Sequence, residues 1–216
     1  MPRNTKEKEK KQAFGVTVED ARMVNSSLFK KDQFNEKAAP SYKIEIAVPK
    51  NDKNFEAILD AIVNEGLDHL GVKGDLDLDG GDVISGIKDG DVMAKKREKE
   101  GKKGDVYKGH WVIRAKTVYN RHGEDAEGGI AVVDEDVQPI IPPDTSAIYN
   151  GCYVNVALTL GKYTDDSTGN DALTYYLGAV QKVKDGERLV AVRDAAAAFK
   201  PIGRSSSGGE GRRRRG

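Results

Sequence analysis

The chain has 216 residues, 38% of them hydrophobic and 32% charged, with 35 basic and 35 acidic side chains, which suits one domain with a modest core. It has no run of 18 apolar residues to span a membrane, and its first residues lack the apolar stretch of a secretory signal. The lone cysteine, Cys152, excludes an intramolecular disulfide and, with three scattered histidines, leaves too few ligands for zinc, so an intracellular, reducing compartment fits best.

Charge is balanced overall but unevenly placed: residues 1–12 carry a net +3, residues 201–216 a net +4, and the body between them −7. An acidic body argues against binding duplex DNA through a broad basic face and leaves room for a narrow cationic groove.

In chain order, residues 1–12 read as a disordered charged tail. Phe14, Val16 and Val18 share one face of a first strand over 13–24, followed by a polar excursion over 25–40. Residues 41–50 form the cleanest strand, with Tyr42, Ile44, Ile46 and Val48 on one face, Lys43, Glu45 and Ala47 on the other, and Pro49 ending it. Apolar residues at 55, 58, 59, 62 and 63 have the spacing of an amphipathic helix, with Asn51 or Asp52 as cap and Gly66 or Gly71 at its end. Residues 71–104 are rich in Gly, Asp and Lys without a durable period, and a long mobile loop is expected there.

Three β-type segments follow, over 106–119, 130–141 and 147–163. In the last, Val154, Val156, Leu158 and Leu160 oppose Tyr153, Asn155, Ala157 and Thr159. A closing strand over 173–183 puts Tyr175 and Tyr176 on opposite faces. A short helix is plausible at 195–199, and 201–216 is low-complexity and expected to be disordered. Short strands between turn signals, with one good helix, predict a mostly β fold. The natural candidate is a five-stranded oligonucleotide-binding (OB) barrel with extra strands, one amphipathic helix and long loops, spanning 13–200.

Several chemical motifs fail on inspection. Asp75, Asp77, Asp79 and Gly80 imitate a calcium loop, but Gly86 stands where the bidentate glutamate belongs. The pairs Asp134/Asp136 and Asp165/Asp166 sit beside turn residues, where aspartate serves the backbone. His110 and Cys152 lack the third, orienting group of a catalytic pair, and no glycine run has the framework of a phosphate-cradling loop. No cofactor or metal is expected.

The strongest signal is the run 105–116, where Tyr107 and Trp111 alternate with Lys108, Arg114 and Lys116. Flat π-surfaces for unstacked bases and cations for the phosphates between them are what a single-strand groove requires. Tyr149, Tyr153 and Tyr176 join the candidate platforms, and Lys43 and Lys182 the candidate phosphate contacts. Residues of opposite parity cannot all line one groove: if Trp111 points inward with Ile113, the Arg114/Lys116 parity is the binding face.

Four blocks resemble one family of bacteriophage single-stranded DNA-binding proteins: Lys88-Asp-Gly-Asp91, Tyr107-Lys-Gly-His-Trp111-Val-Ile-Arg-Ala115, Ile148-Tyr-Asn-Gly-Cys-Tyr-Val-Asn-Val156 and Leu177-Gly-Ala-Val-Gln-Lys-Val-Lys-Asp-Gly186. Leu28, Phe29 and the strand from Ser41 fit its opening pattern more loosely, and the order holds over roughly 13–200. The resemblance implies a non-enzymatic protein with an OB-like fold that binds single strands during phage replication or recombination. It further implies replication or recombination proteins as partners, the host cytoplasm as location, and a homodimer as an admissible assembly. Related proteins commonly end in an acidic tail, whereas this chain ends in Arg212 to Arg215. A metal-dependent nuclease and a protein-binding barrel module are the rival readings.

Overall fold

Alternating apolar and polar side chains build five long strands whose apolar faces close on one another. The computed structural model describes residues 14–189 except 34, 37, 77 and 79–81. Both charged tails, the helix expected at 195–199, and Asp77, Asp79 and Gly80 lie outside the described residues.

Strand β1 (Gly15–Asp32) pairs antiparallel with β2 (Ser41–Pro49) and with β6 (Tyr153–Thr164); β2 pairs with β4 (His110–Thr117), and β6 with β7 (Asp171–Lys184). A parallel contact between β4 and β7, Ala115 opposite Tyr175 and Lys116 opposite Tyr176, closes the circuit β1-β2-β4-β7-β6. Short strands β3 (Ile87–Asp89) and β5 (Ala131–Val133) occupy the remaining edges of β4 and β7. This is the OB barrel with two added strands.

The expected inward faces hold. Tyr42, Ile44, Ile46 and Val48 meet Val154, Val156, Leu158 and Leu160 inside the barrel, with Ile113, Ala115, Tyr175 and Leu177 completing the core. In β1 the pairing shifts between Val18 and Ala21, where Asp20 takes a positive φ of 48° and its N–H donates to Asn155 Oδ1 at 3.0 Å. The extra residue lets Val18 on one side and Ala21 and Met23 on the other all point inward.

The amphipathic helix is present and longer than its apolar spacing suggests. It runs as α1 (Lys53–Ala61), a π turn (Ile62–Gly66) and α2 (Leu67–Leu70), burying Phe55, Ile62 and Leu67. Asp52 Oδ1 accepts from the N–H groups of Asn54 (2.8 Å) and Phe55 (3.2 Å), and Gly71 ends the helix at φ 65°. Gly66 does not stop it; a Cβ there would lie 3.1 Å from Leu160 Cδ2, so its role is close packing on the barrel.

Four expectations of the fold need correction. Segment 71–104 is not one structureless loop, since it holds β3 and a third helix, α3 (Gly90–Lys99). That helix has no apolar stripe to detect: only Gly90 and Ala94 are buried. A Cβ at Gly90 would run into the carbonyl oxygens of Tyr107 and His110, so the missing side chain lets the helix lie flush on the barrel. Asp89 caps it, accepting from Asp91 N–H at 2.7 Å, and Lys50 binds Asp89 and Asp91 at 2.9 and 2.8 Å. Hydrogen bonds from Lys50 hold both carboxyls below their usual range.

The expected strand over 106–119 begins only at His110, after a 3-10 turn (Asp105–Tyr107) and Gly109 at φ 70°. Elsewhere β1 runs on through the presumed excursion to Asp32, and only 131–133 of the segment 130–141 pairs as strand. There the Asp134 carboxylate accepts from Asp136 and Gln138 N–H and turns the chain.

Candidate nucleic-acid interface

OB barrels take oligonucleotides on the outer face of their second and third barrel strands and the adjoining loops. Here those strands are β2 and β4. Ile113 and Ala115 point into the core, so Arg114 and Lys116 point outward; across the ladder, Lys43 stands opposite Lys116 and Glu45 opposite Arg114. Barrel closure then sets Tyr176 of β7 beside Lys116. Tyr176 is 48% exposed and lies against Gly161 of β6, where a Cβ would be 2.5 Å from its ring. Four of the ten expected contacts, Lys43, Arg114, Lys116 and Tyr176, therefore share one outer surface.

Their electrostatics are uneven. Lys43 pairs with Asp32, and Arg114 Nε donates to Glu45 Oε2. The Lys116 ammonium has no hydrogen-bonded or ion-paired partner among the described residues. Like charges directly opposite one another destabilise a ladder, so the apposition of Lys43 and Lys116 suits a surface that receives an anion.

Glu45 is 6% exposed, and both its oxygens are engaged: Oε1 accepts the Tyr107 hydroxyl at 2.7 Å while Oε2 holds Arg114. Tyr107 is itself 3% exposed, with Arg97 of α3 stacked 5.2 Å from its ring centroid. Its burial and its bond to Glu45 push the phenol up to about 12, so it stays a donor. This corrects the expectation of a base platform at Tyr107. The turn before Gly109 swings its ring under α3, where it supports the carboxylate that positions Arg114. Tyr107→Phe keeps the ring and deletes only the hydroxyl, so a stacking role predicts no change. The geometry predicts a stability loss of about 1.5–3 kcal/mol, read as a lower urea midpoint at unchanged m-value.

The remaining candidates are engaged elsewhere. Trp111 is half-buried against the core, with Lys50 Nζ 4.7 Å from its ring centroid. Lys108 binds Glu98 (2.8 Å) and Asp105 (2.9 Å), which raise it above the usual lysine range. At the far end of β6, Lys184 caps the Tyr153 ring at 4.6 Å and Arg188 the Tyr149 ring at 3.7 Å. The Tyr149 hydroxyl lies 3.0 Å from Asp185 Oδ1, and Lys182, its side chain 12% exposed, binds the same carboxylate at 2.8 Å. These interactions fasten the chain leaving β7. Sequence reasoning missed Glu45 as a partner, although its place between Lys43 and Ala47 on the polar face of β2 was readable. It also missed the exposed Tyr163. Among the described residues, no group of three or more His, Cys, Asp or Glu side chains could hold a metal, and no helix is long and apolar enough to cross a membrane.

An OB barrel with cations on its second and third strands and an exposed ring on the neighbouring fifth defines the class of single-strand-binding barrels. A family model, Enterobacter phage Enc34 ssDNA-binding protein, matches residues 14–208, and the chain belongs to that family. Among solved structures, the chain is similar to the single-stranded DNA-binding protein from bacteriophage Enc34 as a C-terminal truncation. That match has 21% identity and a TM-score of 0.59 and covers 81% of this chain and 88% of that one. The same Enc34 protein in complex with ssDNA matches at 20% identity and TM-score 0.57, covering 82% and 89%. The single-stranded DNA-binding protein gp2.5 of bacteriophage T7 matches at 15% and 0.52, covering 91% and 100%. No curated protein sequence matches the chain.

Proposed function

We propose that this chain is a non-enzymatic single-stranded DNA-binding protein that coats and protects single strands during phage DNA replication or recombination, largely without regard to sequence. Residues 13–200 form the binding domain, with 1–12 and 201–216 as charged tails, and the protein works in the cytoplasm of the infected host. Bases stack on Tyr176, while Arg114, Lys116 and Lys43 contact phosphates. The observation that carries this reading is the apposition of Lys43 and Lys116 beside an exposed tyrosine. A polyanion with flat bases is the ligand that relieves the first and uses the second. Family membership and the Enc34 complex with ssDNA support the ligand class.

The test is a titration of labelled oligothymidine across a salt series, with duplex competitor, and with and without magnesium. Intact strands, a steep loss of affinity with salt and weak competition by duplex are expected. Duplex competing equally well would replace the groove with a diffuse cationic interaction, and magnesium-dependent cleavage would favour a nuclease.

The arginine run at 212–215 belongs to the same reading, because a polycation prefers the high charge density of DNA to a weakly acidic protein body. Removing residues 204–216 is expected to flatten the salt dependence by about 0.7 for each phosphate that the arginines neutralise. Tighter binding of the truncated chain at low salt would mean that the arginines block the groove instead.

A further inference from the structure

We infer that α3 and the turn after it form a second phosphate-binding surface, a basic ridge that extends the single-strand track beyond the groove floor. This inference rests on the groove reading and goes beyond it.

The helix is unusual for one packed on a barrel. Its buried residues are Gly90 and Ala94, and Ala94 sits in a small outer cluster with Val24, Ala47, Val112 and Tyr107. Gly104 closes over the same alanine, a Cβ there lying 2.8 Å from the Ala94 carbonyl oxygen. Three small residues, the Lys50 clamp and Met93, half-buried against that cluster, thus hold flush to the outer face a helix whose remaining positions, apart from Val92, are all charged. Such a helix gains little stability from burial, which leaves its solvent-facing chemistry as the reason for its placement.

That chemistry is cationic. Residues 95–103 carry a net +4 within a body of net −7. Lys95, Lys96, Lys99 and Lys103 are exposed, and their ammonium groups have no hydrogen-bonded or ion-paired partner among the described residues. The ridge is continuous with the groove: Arg97 stacks on Tyr107, Tyr107 holds Glu45, and Glu45 holds Arg114. Lys88, outward on β3, is exposed beside it. A strand that lies along Lys43, Lys116 and Arg114 and continues past Glu45 meets these lysines next. The ligand is the sugar-phosphate backbone of the flanking nucleotides. Helix α3 carries no aromatic residue to read bases.

The experiment compares the full chain with a Lys95→Ala, Lys96→Ala, Lys99→Ala variant on two oligothymidines, of about 6 and about 20 nucleotides, bracketing the site of a single barrel. The substituted side chains are exposed, and an unchanged thermal midpoint checks the fold. The short strand is expected to bind both proteins alike. On the long strand the variant binds more weakly at low salt, and its salt slope falls by about 0.7 per phosphate, up to about 2 in all. Arginine at the three positions restores both. Equal salt slopes for the two proteins on the long strand would overturn the inference, as would an equal loss of affinity on the short strand, which would make the lysines a general field. Failure of the groove reading looks different: the unaltered chain would then bind neither strand with a salt-dependent affinity.

Discussion

Tyr176→Ala combined with Lys116→Glu is expected to abolish measurable single-strand binding at physiological salt while leaving the barrel folded. The tyrosine supplies the exposed ring of the β2–β4–β7 surface, and base stacking contributes about 1–3 kcal/mol, roughly fivefold to more than a hundredfold in affinity. The lysine supplies the cation without a protein partner, and reversing its charge replaces attraction for a phosphate with repulsion. Because the two are ladder neighbours, their effects need not add, and both single variants are required to apportion them. Tyr176→Ala should lower affinity with little change in salt slope; Lys116→Ala should flatten the slope by about 0.7. Tyr153→Ala is the informative contrast, because its ring is already capped by Lys184, which is tied to Asp20 at 2.7 Å. A large loss of affinity from Tyr153→Ala with none from Tyr176→Ala would move the strand path to the β6–β1 face.

One residue back along β7, Tyr175→Ala is expected to destabilise the protein by about 3–5 kcal/mol, the range for deleting a large buried ring. Tyr175 is fully inside the barrel at the β4–β7 closure, and its hydroxyl donates to the Ser85 carbonyl at 2.8 Å. Burial pushes the phenol well above its usual range, so the donor persists at any working pH. Tyr175→Phe leaves the Ser85 oxygen without that donor and is expected to lower stability by about 1–3 kcal/mol. Denaturant midpoints measure both, and Tyr176→Ala next to them should stay within about 0.5 kcal/mol of the unaltered chain. If the two alanine variants proved equally destabilising, the assignment of inner and outer faces would be wrong.

That division between adjacent tyrosines was legible without coordinates, as were the inner faces of β2 and β6 and the amphipathic helix, whose cap the sequence left between Asn51 and Asp52. Each is a local property: a strand alternates every second residue and a helix recurs every 3.6, so a short window of side chains states which face is apolar. The family blocks carried the function the same way, as short strings around strands that build the barrel.

The tertiary structure alone decided which local faces meet. Lys43, Lys116 and Tyr176 come from distant parts of the chain, and their adjacency is created by the β2–β4 register and the β4–β7 closure. A one-residue slip in either would exchange inner for outer side chains, and nothing within a single strand encodes that choice. Tyr107 shares its parity with Trp111 in the sequence, yet the turn at Gly109 removes it from the strand and buries it as the support for Glu45. Helix α3 escaped notice because periodicity reports only helices that bury an apolar stripe, and this one is held by small residues, one half-buried methionine and a lysine clamp.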